Sequence, residues 1–301
     1  MSATLNTFED LEAKAASGDA LTRADAERVL GSPELVGIGM LAEVARRLKS
    51  GDEVTFNRVC TWSAAAPPET RGESGEVRIA GVPSTVDEAR AWVVAAFAFA
   101  AGTPLCGFSA VSLLDLCGQD HLALAALSRD LRAAGLDSVS EVPIDRIGSP
   151  DNLVEVVRAI AHGGLGVWRL TVDHAPQASR LDLIEHAIAV QAETGVVRAF
   201  APLPRVDPVQ EPSTGYDDVR TIAVAQLMCR SIGLVQVDWA GYGPKLAQVA
   251  IAYGANDIDG VAAHDALGLG PRRSPRVDIV RQIEAAGGQA AERNGRYERV
   301  P

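Results

Sequence analysis

A chain of 301 residues, 47% of them apolar, has enough material to bury a large core, as one α/β domain or two smaller ones. Its formal net charge of −11, with no Lys/Arg run, argues against a nucleic-acid partner and reports mainly on solubility. No stretch reaches the roughly 20 apolar residues of a membrane span, because the longest candidate, 89–101, is short and contains Arg90.

In chain order, the N-terminal segment is acidic and lacks the apolar core of a secretory signal, so a cytoplasmic protein is expected. Residues 1–50 read as helices. Thr22 with Asp25 three positions later forms a capping pattern, and 35–48 has apolar residues at helical spacing with Arg46, Arg47 and Lys49 in its last turn. Strand-like segments are expected at 54–59, 104–111, 139–142, 166–172, 196–203, 234–238 and 257–260. Helices are expected at 84–102, 119–135, 149–163, 179–195, 216–231, 244–254 and 277–286. Residues 64–75 are a loop rich in Pro, Gly and Glu. Strands alternating with helices of this length indicate repeated βα units on a parallel sheet, closed or open as a barrel. A doubly wound nucleotide-binding sheet is the alternative, but no strand–GxGxxG–helix fingerprint is present.

The four cysteines, Cys60, Cys106, Cys117 and Cys229, are scattered, with no two within ten positions. Such cysteines are expected as buried small hydrophobes or free thiols, and no metal ligand set is assigned. Asp173 and His174 follow a predicted strand, at the end where barrel sites form. They pair as acid–base candidates or serve as a cap and a hydrogen-bonded loop residue. Glu141, at a short strand's end, is a further acid–base candidate. Asp238 and Trp239 also follow a strand, and suit a ribose hydroxyl and a purine face, or core packing. Asn256 and Asp257 suit a polar ligand or a self-bonded turn.

Several segments together resemble one family: Leu35-Val36-Gly37-Ile38-Gly39, Asn57-Arg58, Gly107-Phe108-Ser109-Ala110-Val111, Ala133-Ala134-Gly135-Leu136-Asp137-Ser138, Glu193-Thr194-Gly195, Tyr216-Asp217-Asp218-Val219-Arg220 and Gly254-Ala255-Asn256-Asp257-Ile258-Asp259-Gly260. In this order, across almost the whole chain, they are similar to the radical S-adenosylmethionine (SAM) enzymes aminofutalosine synthase and dehypoxanthine futalosine cyclase of menaquinone biosynthesis. The resemblance implies a TIM-like (β/α) barrel of the radical SAM type. A helical extension over 1–52 would precede a truncated or partial barrel over 53–270, with a C-terminal helix and tail over 271–301 packed on it. It also implies ligand-binding roles for Asn57 and Arg58 at the mouth of the first strand, with a [4Fe–4S] cluster and SAM as cofactors.

The departures from that pattern fall where the family meets its cofactors. The family follows its Asn-Arg segment with a CxxxCxxC loop whose three thiolates hold the cluster. Here the corresponding run is Val59-Cys60-Thr61-Trp62-Ser63-Ala64-Ala65-Ala66-Pro67-Pro68, and a βα unit looks reduced before Gly107. The triple-glycine turn after the Asp137-Ser138 segment is Val139-Ser140-Glu141, the Gly before the family's His is Asp173, and Leu267-Gly268-Leu269-Gly270-Pro271 replaces a His-containing loop. The expectation is a pseudoenzyme that has lost the cluster and SAM. It would act as a non-catalytic partner of an intact radical SAM paralogue, or as a homo-oligomer. An enzyme with non-radical chemistry on a futalosine-type nucleoside, and a radical enzyme with an unorthodox cluster site, are the alternatives.

Overall fold

A computed structural model describes residues 8–174, 179–205, 214–263 and 276–300. Three helices come first: α1 (Glu9–Ser17), α2 (Arg23–Gly31) and α3 (Leu35–Ser50). The Thr22/Asp25 capping box forms as the spacing predicts, with each side chain accepting from the other's backbone N–H. Then β1 (Glu53–Ser63) and β2 (Glu76–Ala80) are followed by α4 (Val86–Ala100), β3 (Leu105–Ser109), α5 (Ala110–Leu116), α6 (His121–Ala133), β4 (Ser138–Pro143), α7 (Pro150–His162) and β5 (Arg169–Val172). The chain continues through α8 (Arg180–Thr194), β6 (Ala199–Pro204), α9 (Gly215–Met228), β7 (Leu234–Asp238), α10 (Trp239–Ala252), β8 (Asp257–Ala262), α11 (Arg276–Ala285) and β9 (Gln289–Arg293).

Strands β1 to β8 are all parallel and close on themselves, because β1 pairs with both β2 and β8. A TIM-like (β/α) barrel is therefore present, and it is closed by all eight staves rather than truncated or partial. Strand β1 is long enough to serve two neighbours on one side. Its first half, Glu53 to Asn57, pairs with β9, and its second half, Val59 to Ser63, pairs with β2. The C-terminal strand thus wedges into the seam between β1 and β2 at the N-terminal end of the barrel.

The first βα unit lacks its helix. Residues 64–75 run directly from β1 to β2, tied back by the Gly75 N–H to the Arg58 carbonyl at 2.9 Å. Gly75 is needed there, because a Cβ would lie 2.8 Å from the Arg293 carbonyl oxygen. This is the reduced unit that the sequence suggested before Gly107.

Three local details differ from the sequence reading. Helix α4, expected from residue 84, begins at Val86 after its cap Thr85, which accepts from the Glu88 N–H, while the Glu88 carboxylate accepts from the Ser84 N–H at 2.6 Å. Helix α10 begins at Trp239, ahead of the kink at Gly243 (φ 75°) and Pro244, so the turn before Pro244 is helical rather than loop. Strand β2 was not expected, since two of its five residues, Glu76 and Arg78, are charged.

Side chains alternate along the staves. Val54, Phe56, Val77, Ile79, Val235, Val237 and Ile258 face the helices and build the apolar layer, all at 3% exposure or less. Their neighbours Thr55, Asn57, Glu76, Arg78, Gln236, Asp257 and Asp259 face the lumen.

Candidate functional site

Barrel interiors are usually filled by branched apolar residues in layers. This one is filled by charge. Arg78 (β2), Arg169 (β5) and Arg293 (β9) meet Glu76 (β2), Asp257 and Asp259 (β8), a balanced set of three cations and three anions. Asp259 is the hub, with Arg78 at 2.9 Å, Arg293 at 3.2 Å and Arg169 in direct contact. Arg78 also reaches Glu76 at 2.7 Å.

The remaining donors and acceptors are largely satisfied. Glu76 accepts from Asn57 at 2.6 Å and from the Cys106 thiol at 2.5 Å. Asp257 accepts from Thr55 at 2.5 Å and Gln236 at 2.6 Å, and Arg169 donates through Nε to the Ser140 carbonyl at 2.9 Å. Tyr297 lies against Arg293, with its ring centre 4.1 Å from the guanidinium carbon. A pocket of about 10 Å³, room for about one water, remains beside Glu76, Arg78, Cys106, Arg169 and Tyr297.

The electrostatics follow from that packing. Burial works to raise the Asp259 carboxyl, but Arg169, Arg78 and Arg293 outweigh it and hold the group well below the usual carboxylate range. Glu76 is lowered in the same way, burial being overcome chiefly by Arg78. Burial, reinforced by Glu76, pushes the Cys106 thiol well up, so it is a neutral donor rather than a thiolate.

At the C-terminal mouth, Arg205, just after β6, contacts Glu141 on β4 and lies 3.4 Å from Asp238 at the end of β7. Strands β4 and β7 stand three apart in the barrel order, so this guanidinium bridges across the mouth. Asp238 also caps α10 through the Gly241 N–H at 2.8 Å. Trp239 is buried in the core.

The loop after β5 is held by Asp145, whose carboxylate accepts from the Asp173 N–H at 2.9 Å and the His174 N–H at 2.6 Å. Burial, then the nearby Asp145 charge, raises the Asp173 carboxyl. The His174 side chain is exposed, and among the described residues no hydrogen bond joins it to Asp173 or Glu141.

The remaining candidates separate. Asn57 and Asp257 belong to the lumen lattice. Arg58 faces outward, to Glu292 at 2.6 Å and Glu73 at 3.2 Å. Asn256 ties backbone together, accepting from the Val235 N–H at 2.8 Å and donating to the Gly233 carbonyl at 3.1 Å. The segment 267–271 lies outside the described residues.

The residues present do not fit a three-thiolate cluster. The 64–75 loop contains no cysteine. Cys60 sits beneath that loop, its sulfur 3.8 Å from the Thr70 carbonyl, while Cys106 points into the lumen, so the two do not share a site. Cys117 follows α5, and Cys229 ends α9. Among the described residues no group of three or more His, Cys, Asp and Glu side chains is placed to hold a metal ion.

No family model matches the chain. Along most of its length it is similar to an aminodeoxyfutalosine synthase from Streptomyces coelicolor, 27% identical over 96% of this chain and 93% of that protein. A 5-amino-6-(D-ribitylamino)uracil–L-tyrosine 4-hydroxyphenyl transferase from Methanothermobacter thermautotrophicus is 32% identical over 37% of this chain and 34% of that protein. Among solved structures, the [FeFe]-hydrogenase maturase HydG superposes with a TM-score of 0.67 at 11% identity, over 96% of this chain and 77% of that one. Methylornithine synthase PylB gives 0.60 at 16% identity, over 93% and 97%. Along nearly its whole length the chain is thus similar in sequence to an aminodeoxyfutalosine synthase, and it shares its barrel fold with PylB and HydG.

Proposed function

We propose that the chain is a non-catalytic homologue of aminodeoxyfutalosine synthase, without [4Fe–4S]/SAM radical chemistry. It serves as a partner or regulatory subunit of an intact radical SAM relative linked to menaquinone biosynthesis. The observation that carries this reading is the 64–75 loop, which joins β1 to β2 without a helix and without a cysteine, so it offers no thiolates to a cluster. The charged lattice of Arg78, Arg169, Arg293, Asp257 and Asp259 packs the barrel interior, beneath the C-terminal mouth where barrel enzymes bind their ligands.

The test is affinity capture of an intact, cysteine-bearing paralogue by this chain at physiological salt. Retention, with a change in the paralogue's turnover, is the expected result. No retention and no effect on turnover would overturn the partner role.

One observation favours a second reading, a small nucleoside ligand at the C-terminal mouth. Asp173 carries a raised carboxyl beside the exposed His174, at the strand end where barrel enzymes place polar catalysts. A thermal-shift screen with SAM, adenosine and futalosine-type nucleosides separates the readings. A shift with one nucleoside that Asp173→Asn weakens would favour ligand binding, and none would leave the partner reading alone.

A further inference from the structure

On the face of the barrel opposite the mouth, the turns leading into β4, β5 and β6 enclose a pocket of about 340 Å³. That volume lies at the lower end of the range for small-molecule sites. Most of its wall is apolar, and the half-buried indole of Trp168, just before β5, is the largest surface in it. A Cβ on Gly166 would lie 2.4 Å from that indole, so glycine there lets the ring settle against the backbone of the pocket. Tyr297 meets Trp168 edge-on, with ring centres 6.3 Å apart, and fixes the tilt of the indole.

The polar side is built around one buried carboxylate. Asp137 Oδ1 accepts from Arg132 on α6 at 2.8 Å and from Arg296 in the C-terminal turn at 2.9 Å, while Oδ2 accepts from the Leu105 N–H at 2.9 Å. Arg132 uses the same Nη1 to reach the Leu136 carbonyl at 3.1 Å. Nε and Nη2 of Arg132 and Nη1 of Arg296 therefore have no partner among the described residues. In the lumen and at the mouth the arginines are differently placed, because Arg78, Arg205 and Arg293 each reach two carboxylates. Here two arginines share one, and no other charged side chain among the described residues lines the pocket. One positive charge is left over, in a chain whose net charge is −11.

We propose that this pocket binds a small aromatic anion, its ring against Trp168 and its carboxylate or phosphate across Arg132 and Arg296. An uncharged ligand would leave the spare guanidinium donors to water, and an inorganic anion would leave the apolar wall uncovered. Asp137 is a positioning residue. It presets both guanidiniums, so less side-chain freedom is lost when the ligand arrives. The site stands at the other end of the barrel from the mouth and from the 64–75 loop, so it is independent of whether a cluster is held.

The test is isothermal titration calorimetry of the full chain with benzoate and with phenyl phosphate. Cyclohexanecarboxylate and acetate serve as the non-aromatic and ring-free comparisons. One of the two aromatic probes is expected to bind saturably at one site, and the tighter one identifies the anionic group. Arg132→Gln and Arg296→Gln, both at half-exposed positions, each weaken it about tenfold while the far-ultraviolet spectrum and Tm stay unchanged. Trp168→Leu keeps the affinity for acetate and loses the preference for the aromatic probe. No saturable binding of either aromatic probe at millimolar concentration, or an affinity that both arginine variants leave unchanged, would overturn the proposal. Acetate bound as tightly as benzoate would mean an adventitious ion only, and would overturn it as well.

Discussion

Arg293 on β9 donates two hydrogen bonds of 2.6 and 2.7 Å to the carboxylate of Asp257 on β8, with the two side chains 2% and 0% exposed. This pair ties the last strand of the chain into a barrel already closed by β1. It also anchors the lumen lattice, since Arg293 reaches Asp259 and packs against Tyr297.

Removing one partner leaves a buried charge without compensation. Arg293→Ala is expected to cost about 3–5 kcal/mol in urea unfolding. Replacing both partners, Arg293→Met with Asp257→Leu, recovers most of that loss, because well-packed apolar side chains avoid the desolvation of both ions. A double variant as unstable as the single one would contradict the view that the lattice fills space rather than supplying net stability.

How much of this was legible in the sequence depends on what each residue faces. The alternation of strands and helices follows the apolar side that packs against the helix layer, and it placed seven of the eight barrel strands. The lumen was not legible, because its contacts join residues far apart in sequence, such as Arg169 with Asp259 and Arg78 with Asp259. The sequence points to Asn57 and Asp257 as ligand groups, and the structure places both in the lattice. The sequence does not single out Glu76, Arg78, Arg169 or Arg205. The signal was present as charge at every second position of a short strand, in Glu76-Val77-Arg78-Ile79 and Asp257-Ile258-Asp259, which is what a polar lumen demands of a stave with one apolar face. Arg58, expected at the mouth of the first strand, is turned outward by the same alternation. Its neighbour Asn57 points inward, so Arg58 must point out, toward Glu292.

Lys49 gives a pH-dependent test of the packing of the N-terminal helices against the barrel. Its ammonium donates to the Cys229 and Ile232 carbonyls at 2.9 and 2.7 Å, and burial pulls the amine down to about 8. The same amine titrates at about 10.5 when unfolded. Between these values the unfolded chain holds a proton that the folded chain has released, so this group makes stability rise with pH from about 8 to 10.5. Below that window both states are protonated, and its contribution is constant. Subtracting the unfolding free energies of Lys49→Met from those of the wild type at each pH isolates the effect. A flat difference would place Lys49 in water.

Asp173 carries the opposite expectation. Its folded carboxyl is raised, first by burial and then by Asp145, so the folded chain binds the proton more tightly than the unfolded one. The favourable contribution is present at acid pH and is lost as pH rises through the folded value. Asp173→Asn should therefore be more stable than the wild type at neutral pH, and the gain should disappear in acid. A destabilised Asp173→Asn at neutral pH would mean that the carboxylate has a cationic partner at the mouth.

The central proposal is that this relative of aminodeoxyfutalosine synthase carries no [4Fe–4S] cluster, because the loop after β1 offers it no thiolates. Anaerobic reconstitution of the full chain with ferrous iron and sulfide, followed by desalting and determination of bound iron and acid-labile sulfide, tests it most directly. The account predicts no cluster-level iron or sulfide on the folded protein, and the same result for a Cys60→Ala/Cys106→Ala variant. Four irons and four sulfides per chain, lost in that variant, would contradict it.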